Sequence, residues 1–203
     1  KIFDRPPSCI EEDVDLTLRE SFSHWSQSCH RIQGIFVNRS VYHAYLPALK
    51  KKFARTISCA PDYIEKREKA VAALNKDVAE SNPVAIMSQK TFPLLVVEPE
   101  LESNFVKSAY FLPVLWIRPY DGEDELVRTL RNRKFFLGLN IHSDSRIFIN
   151  QIIEETNFSR YTVNSSHINL RLGEGWGGRH PSGFYGYRDW LDQFTDKFEV
   201  LES

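Results

Sequence analysis

Apolar residues recur along this chain with two different periods, and the alternation between those periods predicts an α/β fold. Over positions 13–25, Val14, Leu18, Phe22 and Trp25 fall three or four apart on one face, the spacing of an amphipathic helix. Ile35, Phe36 and Val37 form a short apolar run suited to a buried strand. Helical spacing returns over positions 41–53 through Tyr42, Tyr45, Leu46, Leu49 and Phe53. Lys50, Lys51 and Lys52 stand near the end of that helix, where cations suit its dipole. Positions 64–80 are charged and alanine-rich, as in a solvated helix.

Strands are predicted at 92–97 and 114–117, the second bounded by Pro113 and Pro119. A helix follows at 123–131 with Leu126, Val127 and Leu130 inward, then an apolar strand at 135–142 carrying Gly138. Positions 144–157 read as a helix burying Ile149, Ile152 and Ile153, and 161–163 as a strand ending at Asn164. Strands alternating with helices this long imply right-handed βαβ crossovers and a largely parallel sheet flanked by helices. Positions 173–186 are glycine-rich and aromatic, which predicts a surface or site loop of the kind α/β proteins place at strand ends.

Composition narrows this picture more than it extends it. With 203 residues, one domain of ordinary size is expected, and 42% hydrophobic residues suffice for its core. Charges nearly cancel to a net −1, so there is no global footprint for nucleic acid or an anionic membrane, and neither is expected as a partner. No apolar run approaches the length of about 18 residues that a membrane span needs. The opening, Lys1 to Pro7, lacks signal-peptide character and reads like the middle of something longer. Cys9, Cys29 and Cys59 lie far apart without CxxC spacing. That argues for a reducing compartment, cytoplasm or an organelle matrix, over a disulfide scaffold.

Two stretches could carry chemistry. In Ser26-Gln27-Ser28-Cys29-His30, a cysteine follows a helix and precedes a strand, a transition that can expose a thiol in a cleft. A nucleophilic cysteine needs a local field or base to make thiolate, whereas a structural one is simply buried. Spacing leaves both readings open. His24 and His30 flank the cysteine, but no Cys/His/Asp grouping completes a zinc site, and nothing local supports a dyad with His167 or His180. The second stretch, Gly175 to Gly183, is either a ligand loop or a glycine-rich turn. It lacks GxxxxGK[ST], and no GxGxxG fingerprint occurs anywhere, so no Rossmann dinucleotide site is expected in this chain.

An ordered set of motifs adds a resemblance. Gln27-Ser28-Cys29 resembles the GQxC nucleophile motif of aldehyde dehydrogenases, and positions 35–53 are similar to the family's R-x-x-V-x-x-S-x-Y-x-x-F passage. Phe111-Leu112-Pro113-Val114-Leu115 resembles E-x-F-G-P-V-L, followed by the acidic helix start Tyr120 to Glu125. Asn164 leading into Trp176-Gly177-Gly178 and Ser182-Gly183-Phe184 resembles N…PFGG…SG, and 191–200 resembles the F-T-x-x-K-x-V ending. The resemblance implies an α/β fold like the family's cysteine-bearing catalytic domain over 1–190, without the nucleotide-binding half. Residues 191–203 would be a C-terminal strand or tail used in homo-oligomerisation.

It further implies that Cys29 attacks a small-molecule aldehyde, or an acyl thioester in reverse, through a thiohemiacetal and thioester with NAD or NADP. Trp25, Gln27, Trp176 and Phe184 would contact substrate and Phe111 the nicotinamide. Three departures stand out: the ribose-gripping glutamate of E-x-F-G-P aligns with Ala109, its glycine with Leu112, and the glycine of GQxC with Ser26. The family's glutamate base falls before Lys1. These departures keep a second reading open, a non-catalytic homologue serving as an assembly or regulatory module.

Overall fold

The computed structural model describes residues 1–55, 64, 67–88, 92–131, 137–158, 160–166, 177–179 and 182–184, with the last two stretches and Trp25 as backbone alone. In chain order the elements are β1 (Ile2–Phe3), α1 (Ile10–Phe22), a 3₁₀ turn (Ser23–Ser26), β2 (Gly34–Asn38), α2 (Arg39–Phe53), α3 (Glu68–Glu80) and β3 (Ala85–Ser88). There follow β4 (Leu94–Val97), a single turn α4 (Asn104–Lys107), β5 (Val114–Tyr120), α5 (Glu123–Arg131), β6 (Gly138–His142), α6 (Arg146–Glu155) and β7 (Arg160–Val163). Last comes a hairpin of β8 (Gly177–Arg179) and β9 (Ser182–Phe184).

Seven strands form one sheet in the order β3-β4-β5-β2-β1-β6-β7. Every pairing is parallel except β3 with β4 at the edge. The inner strands β1, β2, β4 and β5 are buried on both faces and read as near-continuous apolar runs rather than alternating ones, as parallel strands covered by helices must. Leu94 and Val96 of β4 face α3, α4, α5 and α6, whereas Leu95 and Val97 face α1 and α2. Each buried Leu, Val or Phe in these two layers contributes about 1.5–3 kcal/mol of transfer free energy.

Polar contacts fix how α1 and α2 sit on the sheet. The Lys1 ammonium is buried against α1, 3.0 Å from Thr17 Oγ1, 3.2 Å from Glu20 and 3.5 Å from Asp13. Tyr45 of α2 donates to Asp13 Oδ2 at 2.9 Å, closing the network across both helices. On the surface, the lysines expected at the end of α2 pair with α1: Lys51 and Lys52 with Glu11 at 3.8 and 3.6 Å, and Lys52 also with Asp15. At the far end of the sheet Asp4 accepts from Tyr120 (3.0 Å) and Ser143 (2.7 Å), tying β1 to β5 and β6.

The predicted elements stand, with shifted ends. The first helix begins three residues earlier and stops at Phe22, because Ser23–Ser26 tightens into the 3₁₀ turn. Pro119 lies inside β5 rather than bounding it, and Pro47 lies inside α2. Strands β1 and β3 and the short α4 were not predicted, each being too short to show a period. Within the expected loop at 173–186, Gly177–Arg179 pairs antiparallel with Ser182–Phe184.

Candidate active site

The connection from α1 to β2 carries Cys29, and its geometry follows from how α1 ends. Ser26 holds a left-handed backbone (φ 59°) at the position where the GQxC motif has glycine, and its buried hydroxyl donates to Ser21 O at 2.8 Å. That bond lets a serine occupy a conformation glycine would take freely. The chain then makes a tight turn, closed by Arg31 N–H to Ser28 O at 3.3 Å, with Cys29 and His30 at its corners. Ser28 Oγ lies 2.8 Å from His30 Nδ1, bracing the turn on both sides of the cysteine. Cys29 is exposed and carries a free thiol.

The turn opens onto a cleft of about 480 Å³. It is lined by the turn itself, by Ala109, Tyr110 and Phe111, and by the buried side chains of Phe36, Trp116 and Leu139. Phe111 is 45% exposed at the rim, and Trp116 stacks edge-on against Phe36 at 5.1 Å. The nucleophile-like turn and the E-x-F-G-P-like segment, some eighty positions apart in sequence, therefore share one cavity.

Arg31 joins these segments. Its side chain is buried, and its guanidinium donates to Val114 O at 2.8 Å and to Tyr110 O. With its oxygen turned toward them, the Gln33 carboxamide accepts from Arg31 Nη2 and from the Tyr110 amide, both at 3.2 Å. Tyr110 is anchored in turn by its hydroxyl on Asp77 of α3, and burial with that hydrogen bond holds its phenol above the usual range.

The cleft lies at the N-terminal ends of β2, β5, β6 and β7, whereas the usual rule places α/β ligand sites at the carboxyl ends.

Of the site residues predicted from sequence, Cys29 and Phe111 meet in this cleft. Gln27 is exposed and outside its lining. The Trp25 side chain, Trp176 and the Phe184 side chain lie outside the described residues. Sequence reasoning missed Arg31, Trp116, Asn140, Arg160 and Thr162, which also line the cleft. Each belongs to a strand or turn whose pattern signals only burial. Among the described residues no grouping of His, Cys, Asp and Glu could hold a metal ion, and no helix is long and apolar enough to cross a membrane.

The lining offers an aromatic face at Phe111 for a planar ring, but position 109 is alanine and, among the described residues, no Asp or Glu lines the cleft. Among the described residues, none in the lining therefore supplies a carboxylate to grip a nicotinamide ribose.

A largely parallel seven-stranded sheet with a cysteine turn and an aromatic segment lining one cleft defines a class, and comparison identifies it. The model of the aldehyde dehydrogenase family matches residues 9–200. Aldehyde dehydrogenase family 3 comG of Dictyostelium discoideum is 22% identical over 216 residues, covering 97% of this chain and 46% of that protein. The substrate-bound AldH of Staphylococcus aureus shares the fold at a TM-score of 0.75 and 22% identity, covering 100% of this chain and 48% of its own. Betaine aldehyde dehydrogenase (betB) of Staphylococcus aureus, in complex with NAD+, gives 0.74 at 18% identity, over 94% and 42%. The chain belongs to the aldehyde dehydrogenase family. It spans less than half the length of these relatives.

Proposed function

We propose that this chain is the cysteine-bearing catalytic half of an aldehyde-processing oxidoreductase, with Cys29 as its nucleophile. The observation that carries the reading is the exposed Cys29 thiol at the corner of a braced turn, in a cleft that Phe111 also lines. In the first step the Cys29 sulfur bonds to the carbonyl carbon, the C=O pair moves to oxygen, and that oxygen takes a proton to give a thiohemiacetal. The Cys29 backbone N–H is the donor suited to the developing oxyanion. Oxidation beyond this point needs a hydride acceptor, NAD or NADP by resemblance, held by a domain outside this chain. The absence of a carboxylate at Ala109 favours the rival reading, a non-catalytic assembly module.

The C-terminal segment 191–203 lies outside the described residues; we assign it to homo-oligomerisation. The sheet edge supports that assignment. Strand β3 pairs only with β4 among the described residues, and its Ile86 (50%) and the preceding Val84 (72%) are exposed, an edge suited to a strand from a second copy. The free thiols of Cys9 and Cys29 fit a reducing compartment, cytoplasm or an organelle matrix.

Limiting iodoacetamide from pH 5 to 9, followed by peptide mapping, tests the nucleophile. A primed Cys29 alkylates ahead of Cys9 and Cys59 across the range. Equal, slow labelling of all three cysteines rejects the reading in favour of the assembly module.

A further inference from the structure

Asn140 stands on β6 between the apolar Leu139 and Ile141, and it is only 2% exposed. Its carboxamide nitrogen donates to Thr162 Oγ1 at 2.8 Å and to the Ser165 carbonyl at 2.6 Å. A carbonyl can only accept, so the nitrogen must face Ser165, and both of its hydrogens are used. The oxygen is thereby fixed as an acceptor. It is buried, and among the described residues no group donates to it. Buried polar atoms are paired almost without exception, because an acceptor stripped of water and left unmet is costly. Asn140 is not sealed in the core, however: it lines the cleft that holds Cys29. Thr162, its register partner on β7, lines the same cleft. The Thr162 oxygen accepts from Asn140, which leaves the hydroxyl hydrogen to donate elsewhere.

Resting on Cys29 as the nucleophile, we propose that the aldehyde reaching it carries a hydroxyl group, bound at a subsite made by Asn140 and Thr162 on the β6 and β7 side of the cleft. The substrate hydroxyl donates to Asn140 Oδ1 and accepts from the Thr162 hydroxyl. Neither charged class suits both partners: an ionised carboxylate or phosphate brings no hydrogen to Asn140, and an ammonium brings no lone pair to Thr162. An alkyl chain in the same place leaves both polar groups unmet, so the subsite discriminates against the deoxy analogue. This assigns the substrate a chemical class, which neither the family match nor the cysteine motif supplies.

The test alkylates the intact chain with pairs of iodoacetamides of equal length that differ only in a terminal methyl or hydroxyl group. The pairs are N-propyl against N-hydroxyethyl and N-pentyl against N-hydroxybutyl, with Cys9 and Cys59 as internal references and peptide mapping to read each site. For at least one pair, the hydroxyl-to-methyl rate ratio at Cys29 should exceed that at Cys9 and Cys59 by about fivefold or more. Thr162→Val keeps the shape and removes the hydroxyl, so it should bring the ratio back to the reference value, as should Asn140→Leu. If the buried Asn140 substitution does not fold, the half-buried Thr162 variant still decides. A ratio at Cys29 no higher than at the reference cysteines for both pairs overturns the proposal, as does a raised ratio that Thr162→Val leaves unchanged. The ratio is read whether Cys29 reacts fast or slowly, whereas the nucleophile reading fails if the alkyl reagents do not single out Cys29. The two failures are therefore distinguishable.

Discussion

Substituting Gly34 by alanine puts the packing of the cleft lining to a quantitative test. Gly34 opens β2 and pairs in register with Trp116 of β5. A methyl group at position 34 would come within 2.0, 2.1 and 2.5 Å of three atoms of the Trp116 indole. The ring has little room to retreat. It is 9% exposed and held edge-on by Phe36, with ring planes at 82°. Overpacking a rigid core side chain costs about 1–3 kcal/mol, and three ring contacts this short put Gly34→Ala in the upper part of that range. Replacing glycine in a strand returns about 0.5–1 kcal/mol of backbone entropy, which leaves a net loss of about 2 kcal/mol. Urea unfolding of Gly34→Ala, Trp116→Leu and the double variant isolates the cause. The expected outcome is a loss of about 2 kcal/mol in the parent and less than about 0.5 kcal/mol beside Trp116→Leu, with unchanged m-values. An equal cost in both backgrounds refutes the contact, as does no cost in the parent.

Three other perturbations probe the framework around the cleft. Burial, with the nearby Lys1 charge, pushes the His142 imidazole down to about 3, so it is neutral when folded and titrates near 6.5 only when unfolded. Its contribution is complete above pH 6.5 and is lost as pH falls toward 3. By pH 5 the loss is about 2 kcal/mol, and a His142→Phe variant should lack that share of the slope in a urea series across pH. Tyr45→Phe removes the hydroxyl that donates to buried Asp13, and thermal or urea unfolding should show a loss of about 1.5–3 kcal/mol; a change below about 0.5 kcal/mol contradicts the network. Ser26→Gly trades relief of the left-handed backbone against the lost bond to Ser21 and should stay within about 1 kcal/mol of the parent, whereas Ser26→Ala loses the bond and keeps the strain. Alanine more stable than glycine at this position would reverse the account.

Much of the fold could be read from the sequence because its long elements keep a clean period. Leu126, Val127 and Leu130 are enough to place α5, whose bounds in the structure are those the pattern predicts. Short elements carry no such signal: Ile2 and Phe3 are two residues, yet they form the strand that joins β2 to β6. The edge strand β3 alternates half-buried Ala85 and Met87 with exposed Ile86 and Ser88, a pattern that four residues are too few to announce.

The site divides in the same way. Cys29 and Phe111 could be picked out because motif order marks them, and they do share a cleft. Arg31 could not, since an arginine in a serine-rich turn reads as a surface residue until the Tyr110 and Val114 carbonyls are brought to it by the neighbouring strand β5 and the segment before it. Trp116 reads as core, and its service in the cleft lining depends on the absence of a side chain at Gly34. The location of the site at the amino ends of the strands was hidden too, because it depends on the segments before β2 and β5, which carry no periodic signal, being brought together.

Acylation of the intact chain by p-nitrophenyl acetate, read by mass spectrometry with peptide mapping, tests the central claim most directly. The account predicts a single acetyl group on Cys29, none on Cys9 or Cys59, and no acetylation in Cys29→Ser. Acetylation spread slowly over all three cysteines, or none at Cys29 in the folded chain, would contradict a nucleophilic role and leave the domain as an assembly module.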